Sequence, residues 1–372
     1  MEFKVIATDG KARVCSIKTA HSEFLTPIFM PVGTKASVKG LDSVDIDNLG
    51  AKIILANTYH LYLRPGSKLI KEFGGVHGFS KFNGSFLTDS GGFQAFSLNG
   101  KPDDNGISFK DYKNGDRHYF TPKGVLDCQY DFNSDIMMVL DDLVDLNKVT
   151  SSKRIQQSLQ RTIRWAKESL DYHKSMKDKN LHTHQNLFAI LQGGIDFDAR
   201  RECAQSLCDD DFDGFAIGGL SVGEETQAMY DVVEYVTDFM PYNKPRYLMG
   251  VGKPENLVEN VYRGVDMFDC VLPTRNARNG TLYGDFGKIE IKKEKFKNDM
   301  GPIEDNCNCH TCRNYSRAYL HHLFREQEIS FYRLASIHNI AYFLRLSKNM
   351  QDAIIEKRFE SFRKEFYLKW IK

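Results

Sequence analysis

The feature of this sequence that most limits its fold is a series of eight short apolar runs, each ending at a polar residue or a glycine. Longer stretches compatible with a helix follow most of them. The runs are Ile28–Val32, Ile53–Ala56, Ser85–Thr88, Ile136–Leu140, Leu187–Leu191, Gly214–Ile217, Tyr247–Met249 and Met267–Leu272. Strands that alternate with helices favour βαβ units and a parallel sheet. Eight such units predict an α/β fold closed into a (β/α)8 TIM barrel, and an open doubly wound sheet is the alternative.

Length and composition agree with a large globular fold. The chain has 372 residues, of which 41% are hydrophobic and 27% charged, so it can bury a sizeable core without disulfides. It has no apolar run of about 18 residues, and its charged, alternating N-terminus lacks a signal-peptide core. We therefore expect a cytoplasmic protein without a membrane span. Its eight cysteines are then expected to be thiols or metal ligands.

Charge is distributed unevenly along the chain. Residues 271–372 contain 19 Lys and Arg against 12 Asp and Glu, whereas the preceding 270 residues contain 31 against 37. A basic C-terminal portion on an acidic body can dock a polyanion. Solvated helix faces explain the same imbalance without any partner, so this feature alone does not predict nucleic-acid binding.

The residues at the ends of the apolar runs are either glycines or carry polar side chains suited to catalysis. They are Asn57, Asp89, Asp141, Gln192, Gly218-Gly219, Gly250 and Asp269. In a parallel barrel the C-terminal ends of all strands meet at one mouth, so the carboxylates of Asp89, Asp141 and Asp269 and the amide of Gln192 are expected to converge there. The competing interpretation is that Asp and Gly are common strand terminators.

Two segments interrupt the alternation of strands and helices. Residues 106–120 alternate around Asn114-Gly115, a pair that favours a tight hairpin turn, and Thr121-Pro122 then resembles the start of a helix. The second interruption begins strand-like at Lys288–Ile291 and contains a cysteine cluster. We therefore divide the chain into a barrel over 1–280 with a hairpin insertion near 100–120, a zinc-binding subdomain over 281–349, and a final amphipathic barrel helix over 350–372.

A compact cysteine cluster predicts a metal site. Cys307, Cys309 and Cys312 place three thiols within six residues, which suits a tetrahedral ion, Zn²⁺ by default. A reduced cluster without metal is the alternative. His310 is poorly placed to bend back, and spacing does not choose among the downstream histidines, His321, His322 and His338. A site with four protein ligands has no position left for water, so one Zn²⁺ per chain is expected to be structural rather than catalytic.

Several stretches resemble the signatures of the bacterial-type tRNA-guanine transglycosylases, the queuine tRNA-ribosyltransferase family. The matching segments are TDSGGFQ at 88–94, LQGG at 191–194, GGLSVGE at 218–224, YLMGVG at 247–252 and FDCVLPTR at 268–275. The cysteine triplet followed by His338 also fits the family's zinc pattern, and the resemblance thus selects His338 as the fourth ligand. It implies a (β/α)8 barrel with a zinc-binding insertion before the last helix.

The resemblance also implies an enzymatic activity. Bacterial members are pentosyltransferases that replace the wobble guanine of tRNA with 7-aminomethyl-7-deazaguanine, the precursor of queuosine. Asp269 is then the nucleophile that traps the ribose in a covalent intermediate, and Asp89 is the general acid/base. Such an acid/base role favours a raised pKa.

The family positions for base and RNA recognition are present as well. Asp141 matches the residue that binds the guanine edge, and Gln192 with the backbone of Gly219 and Leu220 matches the groups that bind its carbonyl side. Phe93 and Met249 match the pair that sandwiches the ring, although core packing alone explains such residues too. Arg275, Arg278 and the basic zinc insertion are expected to contact tRNA phosphates in the anticodon loop, with surface ion pairs as the alternative.

Two positions bear on base selectivity. Many bacterial members carry Asp-Glu-Cys after the fourth strand, whereas this chain has Asp141-Asp142-Leu143, which replaces a polarisable contact with bulk. The resemblance therefore leaves selectivity among deazaguanines open. Val222 matches the bacterial type, whereas animal enzymes, which use the larger queuine, tend to have Gly there. A smaller pocket for the aminomethyl base is the resulting hypothesis.

Other functions compatible with the sequence are a retaining glycoside hydrolase, a non-catalytic RNA-binding module on a decayed barrel, and the archaeal base exchange elsewhere in tRNA. A hydrolase also needs paired carboxylates but has no evident need for a cysteine-rich insertion. The simultaneous presence of Asp89, Asp141 and Asp269 argues against decay. Archaeal enzymes usually carry extra C-terminal RNA-binding domains, and this chain ends soon after the barrel. Because family members commonly form homodimers, a homodimer is expected.

Overall fold

Eight parallel strands form the central sheet of the computed structural model, which describes residues 1–98, 100–144 and 152–370. Numbered 1 to 8 in chain order, these barrel strands are Ile28–Pro31, Ile53–Ala56, Ser85–Thr88, Ile136–Met138, Asn186–Leu191, Gly214–Ile217, Arg246–Leu248 and Met267–Cys270. Strands 2 to 8 pair in sequence order, and strand 8 also pairs with strand 1. Val32, directly after strand 1, forms a parallel bridge with Leu55 of strand 2, which closes the ring, so the predicted barrel is confirmed.

The apolar character of these strands follows from their position. Strands 1 to 7 are buried along their whole length, because side chains fill the inside of the barrel and helices cover the outside. Strand 8 differs, since Asp269 and Cys270 at its C-terminal end are only partly buried. This change from buried to half-exposed marks the mouth of the barrel.

Helices follow the barrel strands and surround the sheet. They are Ser43–Asn48, Thr58–Leu63, Ser67–Glu72, Val76–Ser80, Gly92–Ser97, Pro122–Phe132, Ser152–Asp178, Phe197–Leu207, Thr226–Thr237, Pro254–Tyr262 and Leu272–Arg278. Several begin at residues that suit an N-cap; the side chain of Asp196, for example, accepts a hydrogen bond from Ala199 N. Within the described ranges, none of the helices combines the length and apolarity that a membrane crossing requires.

An antiparallel sheet of three N-terminal strands covers the other end of the barrel, and the sequence analysis did not anticipate it. Its strands are Glu2–Asp9, Ala12–Lys18 and Glu23–Leu25. A buried ion pair of 2.6 Å joins Arg13 to Asp266, which directly precedes strand 8, so this sheet lies at the N-terminal ends of the barrel strands. The mouth therefore opens only on the opposite side.

The hairpin insertion packs on a small core of its own. Strands Ile107–Lys110 and Arg117–Phe120 pair antiparallel, and Lys101–Pro102 adds a short third strand. Phe109 and Phe120 pack with Tyr59 and Trp165, which anchors the hairpin beside strands 2 and 3. As the sequence predicted, Thr121 then caps a helix with proline at its first position, accepting a hydrogen bond from Gly124 N at 3.0 Å.

The described residues after the helix Leu272–Arg278 form a two-stranded sheet and four further helices. Its strands are Thr281–Gly284 and Gly287–Glu290, a 3₁₀ turn follows at Glu294–Phe296, and the helices are His310–Asn314, Arg317–Arg325, Ile329–Ile355 and Phe359–Trp370. Most of the apolar residues in this segment pack in a second core cluster, separate from the main barrel core.

The prediction of a single helix over 350–372 is wrong in where that helix begins, because the last helix is Phe359–Trp370. Residues 371–372 lie outside the described residues. A helix that starts at Ile329 continues to Ile355 and ends where Lys357 adopts a left-handed φ of 58°. Arg358 N then bonds to Ala353 O at 2.9 Å, a helix-ending pattern that usually contains glycine. The boundary placed at 349/350 therefore falls inside a helix that runs from the cysteine cluster to the barrel wall, where Phe343 packs against Phe29.

Candidate functional site

A cavity of about 570 Å³ opens at the C-terminal mouth of the barrel. The ends of strands 3 to 8 all contribute to it, as expected for a parallel barrel. The predicted site residues that line this cavity are Asp89, Phe93, Asp141, Gln192, Gly219, Leu220, Met249, Asp269 and Arg275. The structure thus brings nine side chains and backbone groups from separate segments around one space of ligand size.

Asp89 follows strand 3 and is held by a dense set of donors. Its Oδ1 accepts hydrogen bonds from Thr58 N at 3.0 Å and Gly91 N at 3.1 Å, and its Oδ2 accepts one from Asn57 Nδ2 at 2.5 Å. Burial nevertheless raises its pKa to about 7, and the negative charge of Asp269 adds to the increase against these donors. A carboxyl group that titrates near neutral pH can both give and take a proton.

Asp269 lies at the end of strand 8 and faces the same cavity. Tyr247 Oη donates to its Oδ1 at 2.6 Å, and Gly250 N donates to the same oxygen at 2.7 Å. Burial raises the pKa of Asp269 above its usual range, while these two donors lower it in part. Because both bonds use Oδ1, they fix the carboxylate and do not engage Oδ2.

Asp141 and Gln192 form a pair on the opposite wall from strand 8. Gln192 Nε2 donates to Asp141 Oδ2 at 2.7 Å, and Ser90 Oγ donates to Oδ1 at 3.1 Å. Burial raises the pKa of Asp141 to about 6, and the neighbouring charge of Asp142 contributes to the increase. These acceptors and donors give the wall the polar edge that a planar heterocycle with amine and carbonyl groups requires.

Apolar groups lie beside this polar wall. Phe93 is 47% exposed on the short helix Gly92–Ser97, Met249 is partly buried, and Leu220 and Leu143 are buried. An exposed phenylalanine at a cavity rim is not explained by core packing, the alternative considered for Phe93. Phe93 is therefore available to contact the face of a flat ligand, and Met249, which also packs against the barrel core, lines the same cavity.

The sequence analysis missed three polar residues near this cavity. Glu224 accepts hydrogen bonds from the backbone N–H groups of Ser221 and Val222, the second at 3.0 Å, and Ser221 has a left-handed φ of 59°. A serine followed three residues later by glutamate is a recognisable sequence signal for such a bond. Tyr247 and Arg200, whose contacts join separate strands, left no such local signal.

Arg275 and Arg278 occupy different positions relative to the cavity. Both are exposed on the helix Leu272–Arg278, but only Arg275 lines the cavity, whereas Arg278 bonds to Thr274 O at 3.0 Å. Further exposed cations continue along the cysteine-containing segment: Lys288, Lys292, Lys293, Lys295, Lys297, Arg313 and Arg325. A basic surface thus lies in the segment that follows the helix Leu272–Arg278.

Cys307, Cys309, Cys312 and His338 form a buried group that can hold a metal ion. The three sulfurs lie 3.8, 3.8 and 3.3 Å from His338 Nδ1, close to the separation of about 3.6 Å that a tetrahedral zinc site requires. His338 Nε2 bonds to Tyr283 O at 2.7 Å, which orients Nδ1 towards the sulfurs. His321 instead bonds to Ile291 O, and His310 and His322 are exposed, so the geometry selects His338.

A second group with metal-binding side chains lies at the opposite end of the barrel. His21 Nδ1 and His77 Nε2 contact the two oxygens of Asp135 at 2.8 and 3.1 Å, just before strand 4. The two imidazole rings stack 3.6 Å apart with planes 16° from parallel. Stacked rings cannot both direct an in-plane lone pair at one ion, so this group is better explained as two histidines paired to a carboxylate.

Comparison with known protein families agrees with the geometry of the mouth. A family model described as queuine tRNA-ribosyltransferase matches residues 9–372. The match includes every barrel strand, the hairpin insertion, the cysteine cluster and the last helix.

Proposed function

This chain belongs to the queuine tRNA-ribosyltransferase family, and from that premise we propose that it exchanges the wobble guanine of G-U-N anticodon tRNAs for 7-aminomethyl-7-deazaguanine in queuosine biosynthesis. Membership makes the chain a tRNA-modifying transferase, and the specific base and mechanism are our proposal. The observation that carries it is the convergence of Asp89, Asp141 and Asp269 on one cavity with different hydrogen-bond partners. A retaining hydrolase needs similar carboxylates, and family membership favours base exchange.

The proposed reaction is a double displacement at the ribose C1′. An oxygen of Asp269 attacks C1′, the bond from C1′ to the guanine nitrogen breaks, and its electron pair leaves with the base, which Asp89 protonates. The incoming base then loses a proton to Asp89 and attacks C1′, which releases Asp269 as a carboxylate. Two inversions retain the configuration at C1′, and no oxidant or reductant is needed.

Base recognition divides between the polar wall and the apolar groups. Asp141 is proposed to accept hydrogen bonds from the guanine edge, while Gln192 and the backbone of Gly219 and Leu220 bind the carbonyl side. Phe93 and Met249 sandwich the ring, and stacking of this kind contributes about 1–3 kcal/mol per base. The half-exposed Phe93 supports this role, because a ring at the rim can close over a base after it enters.

The tRNA is proposed to bind through its anticodon loop, where an unpaired base can be turned into the cavity at low cost. Arg275 at the rim, Arg278 beside it and the basic surface of the cysteine-containing segment would contact the phosphates. A homodimer, in which one subunit orients the tRNA for the other, and a cytoplasmic location complete the proposal.

We assign Zn²⁺, one per subunit, to the group of Cys307, Cys309, Cys312 and His338. Four protein ligands leave no open position, and none of the four lines the cavity, so the ion would be structural. Its contribution would be to hold the short helix His310–Asn314 against the long helix that carries His338.

The proposed function is tested by incorporation of radiolabelled guanine into unmodified tRNA with a G-U-N anticodon. We expect label in the tRNA and displacement of that label by 7-aminomethyl-7-deazaguanine. A tRNA whose wobble position holds adenine is the matched control and should remain unlabelled. Hydrolysis of a simple aryl glycoside without any incorporation would instead support the hydrolase.

The acid role of Asp89 predicts how the first step depends on pH. Because the pKa of Asp89 is about 7, its protonated form declines above that pH, so single-turnover formation of the RNA adduct should fall about tenfold per unit at higher pH. The Asp89→Asn variant should slow the step about a hundredfold to ten-thousandfold and lose this dependence. Asp141→Asn is the control, and it should weaken base binding while keeping the pH profile. An unchanged profile in Asp89→Asn would assign the proton to another group.

Pocket size at Val222 predicts selectivity between small and large deazaguanines. Val222 and Leu143 both line the cavity, on different walls. The wild-type protein should therefore use the aminomethyl base faster than queuine, and Val222→Gly should raise relative queuine use about tenfold or more. Leu143→Ala adds comparable space at the other position that bears on selectivity, and comparison of the two variants separates the effect of Val222 from that of Leu143. Equal use of both bases by the wild-type protein would contradict the role of Val222.

A further inference from the structure

Arg200 is a fully buried arginine whose side chain joins the two strand ends that carry the base-binding groups. It lies on the helix Phe197–Leu207 after strand 5 and has no exposed surface. Its Nη1 donates to Leu191 O at 2.7 Å, its Nη2 to Gly218 O at 2.8 Å, and its Nε to Gly194 O at 2.8 Å. One guanidinium group thus binds the end of strand 5, the end of strand 6 and the loop that directly follows strand 5.

The bond to Gly218 O has a direct consequence for the cavity. Gly218 O and Gly219 N–H belong to the same peptide group, which is trans, so the two point in opposite directions. With the carbonyl fixed on Arg200, the N–H of Gly219 is directed away from the arginine. Gly219 lines the cavity, so the guanidinium sets the direction of a backbone donor there.

The close packing around Gly219 extends this effect to the polar wall. A Cβ at Gly219 would lie 2.2 Å from Gln192 Oε1, and one at Gly218 would lie 2.8 Å from Gln192 Nε2. The Gln192 amide is therefore pressed against this backbone, and the same amide bonds to Asp141. Any movement of the Gly218-Gly219 backbone would displace the Gly219 N–H and the Gln192 amide, the two groups assigned to the carbonyl side of the base.

The charge of Arg200 strengthens the arrangement. Burial lowers its pKa to about 10, which leaves the group cationic at neutral pH. Hydrogen bonds from a cation are stronger than neutral ones, and a polarised carbonyl makes the N–H of its peptide group a better donor. The three carbonyl oxygens also suit the planar, forked set of N–H donors on a guanidinium group. An ammonium group cannot present its donors in that geometry.

We propose that Arg200 is a positioning residue for recognition of the base carbonyl: it holds the peptide between Gly218 and Gly219 so that Gly219 N–H donates to the carbonyl oxygen of the bound purine. This inference rests on the proposed function, because it takes guanine-type bases as the ligands of the cavity. Arg200 itself does not touch the base. The effect of Arg200 on base binding should therefore depend on whether the base has the carbonyl that is proposed to accept a hydrogen bond from Gly219 N–H.

The test compares guanine with 2-aminopurine, a fluorescent purine without the carbonyl, in binding to the purified full-length protein. Arg200→Lys keeps the charge but loses the fork, and Arg200→Gln is a second variant should the first fold poorly. We expect the Kd of guanine, measured by displacement of 2-aminopurine, to rise about three- to tenfold. The Kd of 2-aminopurine should change less than about twofold, and the same selectivity should appear in the guanine KM.

Arg246→Lys and Arg246→Gln are the matched controls. Arg246 is also buried, also has a pKa lowered to about 10 by burial, and bonds to Met240 O, but it begins strand 7 at the other end of the barrel. These variants should lose thermal stability without changing either Kd. Equal weakening of guanine and 2-aminopurine in the Arg200 variants, or no weakening of guanine, would overturn the inference. Failure of the proposed function would appear separately, as no guanine exchange into tRNA by the wild-type protein.

Discussion

The Asp269→Ala variant is expected to lose base exchange by about ten-thousandfold or more and to form no covalent adduct with RNA. The reason is that Asp269 is the proposed attacking group, and Asp89 is already held by Asn57, Thr58 and Gly91. A residue tied by three donors is poorly suited to replace the missing nucleophile. The measurement is the RNA-protein band on a denaturing gel, together with incorporation of labelled guanine.

Tyr247→Phe is the matched variant, because it removes the 2.6 Å bond to Asp269 Oδ1 and leaves the carboxylate in place. A hydrogen bond to a charged group contributes about 1.5–3 kcal/mol, so we expect slower exchange by about tenfold to a hundredfold, with the adduct still present. A persistent adduct in Asp269→Ala would remove Asp269 from the nucleophile role. Normal tRNA binding by both variants would show that the mouth remains intact.

The barrel could be predicted from the sequence because strands 1 to 7 are buried on both faces and strand 8 is partly exposed only at its mouth end. Such strands form continuous apolar runs, as Ile53–Ala56 and Ser85–Thr88 do, and their polar ends mark the mouth. The N-terminal sheet gave a weaker signal, since Glu2–Asp9 alternates partly buried and exposed residues beside charged ones. Its position depends on the pairing of Arg13 with Asp266, residues far apart in the chain.

The last part of the chain shows why helix boundaries are harder to predict than helices. The helix predicted over 350–372 places the apolar residues Ile354 and Ile355 in one element with Phe359 and Phe362, although a turn at Lys357 separates the two pairs. Helices usually end with glycine or asparagine in the left-handed conformation, and lysine gives no such signal. Because no glycine or asparagine marks the end of the first helix, the apolar patterns of the two helices look like one amphipathic pattern in the sequence.

Of the residues around the cavity, the sequence predicted those that are proposed to contact the ligand directly. Carboxylates at strand ends can be counted in the sequence, but the pKa of about 7 at Asp89 depends on burial and on the charge of Asp269 across the barrel. The contacts of Tyr247 and Arg200 likewise cross from one strand to another. Residues that position other residues through hydrogen bonds between strands leave no local pattern in the sequence.

Loss of the metal ion should affect stability and tRNA binding before it affects the mouth. Structural zinc contributes about 10–16 kcal/mol of binding free energy in small zinc modules, and here part of that energy would hold the helix His310–Asn314 to His338. We expect the His338→Ala variant to lose bound zinc, melt at a lower temperature and bind tRNA about tenfold or more weakly. The basic surface of that segment would then no longer be held in place for phosphate contacts.

His322→Ala is the matched control, because His322 is an exposed histidine in the same segment and does not contact the sulfurs. It should keep its zinc, its melting temperature and its affinity for tRNA. Guanine binding should persist in both variants, since the cavity lies among the ends of strands 3 to 8 and none of the metal ligands lines it. Metal content measured on the same samples decides the outcome: complete loss of zinc with unchanged melting and unchanged tRNA affinity would show that the ion does not organise this segment.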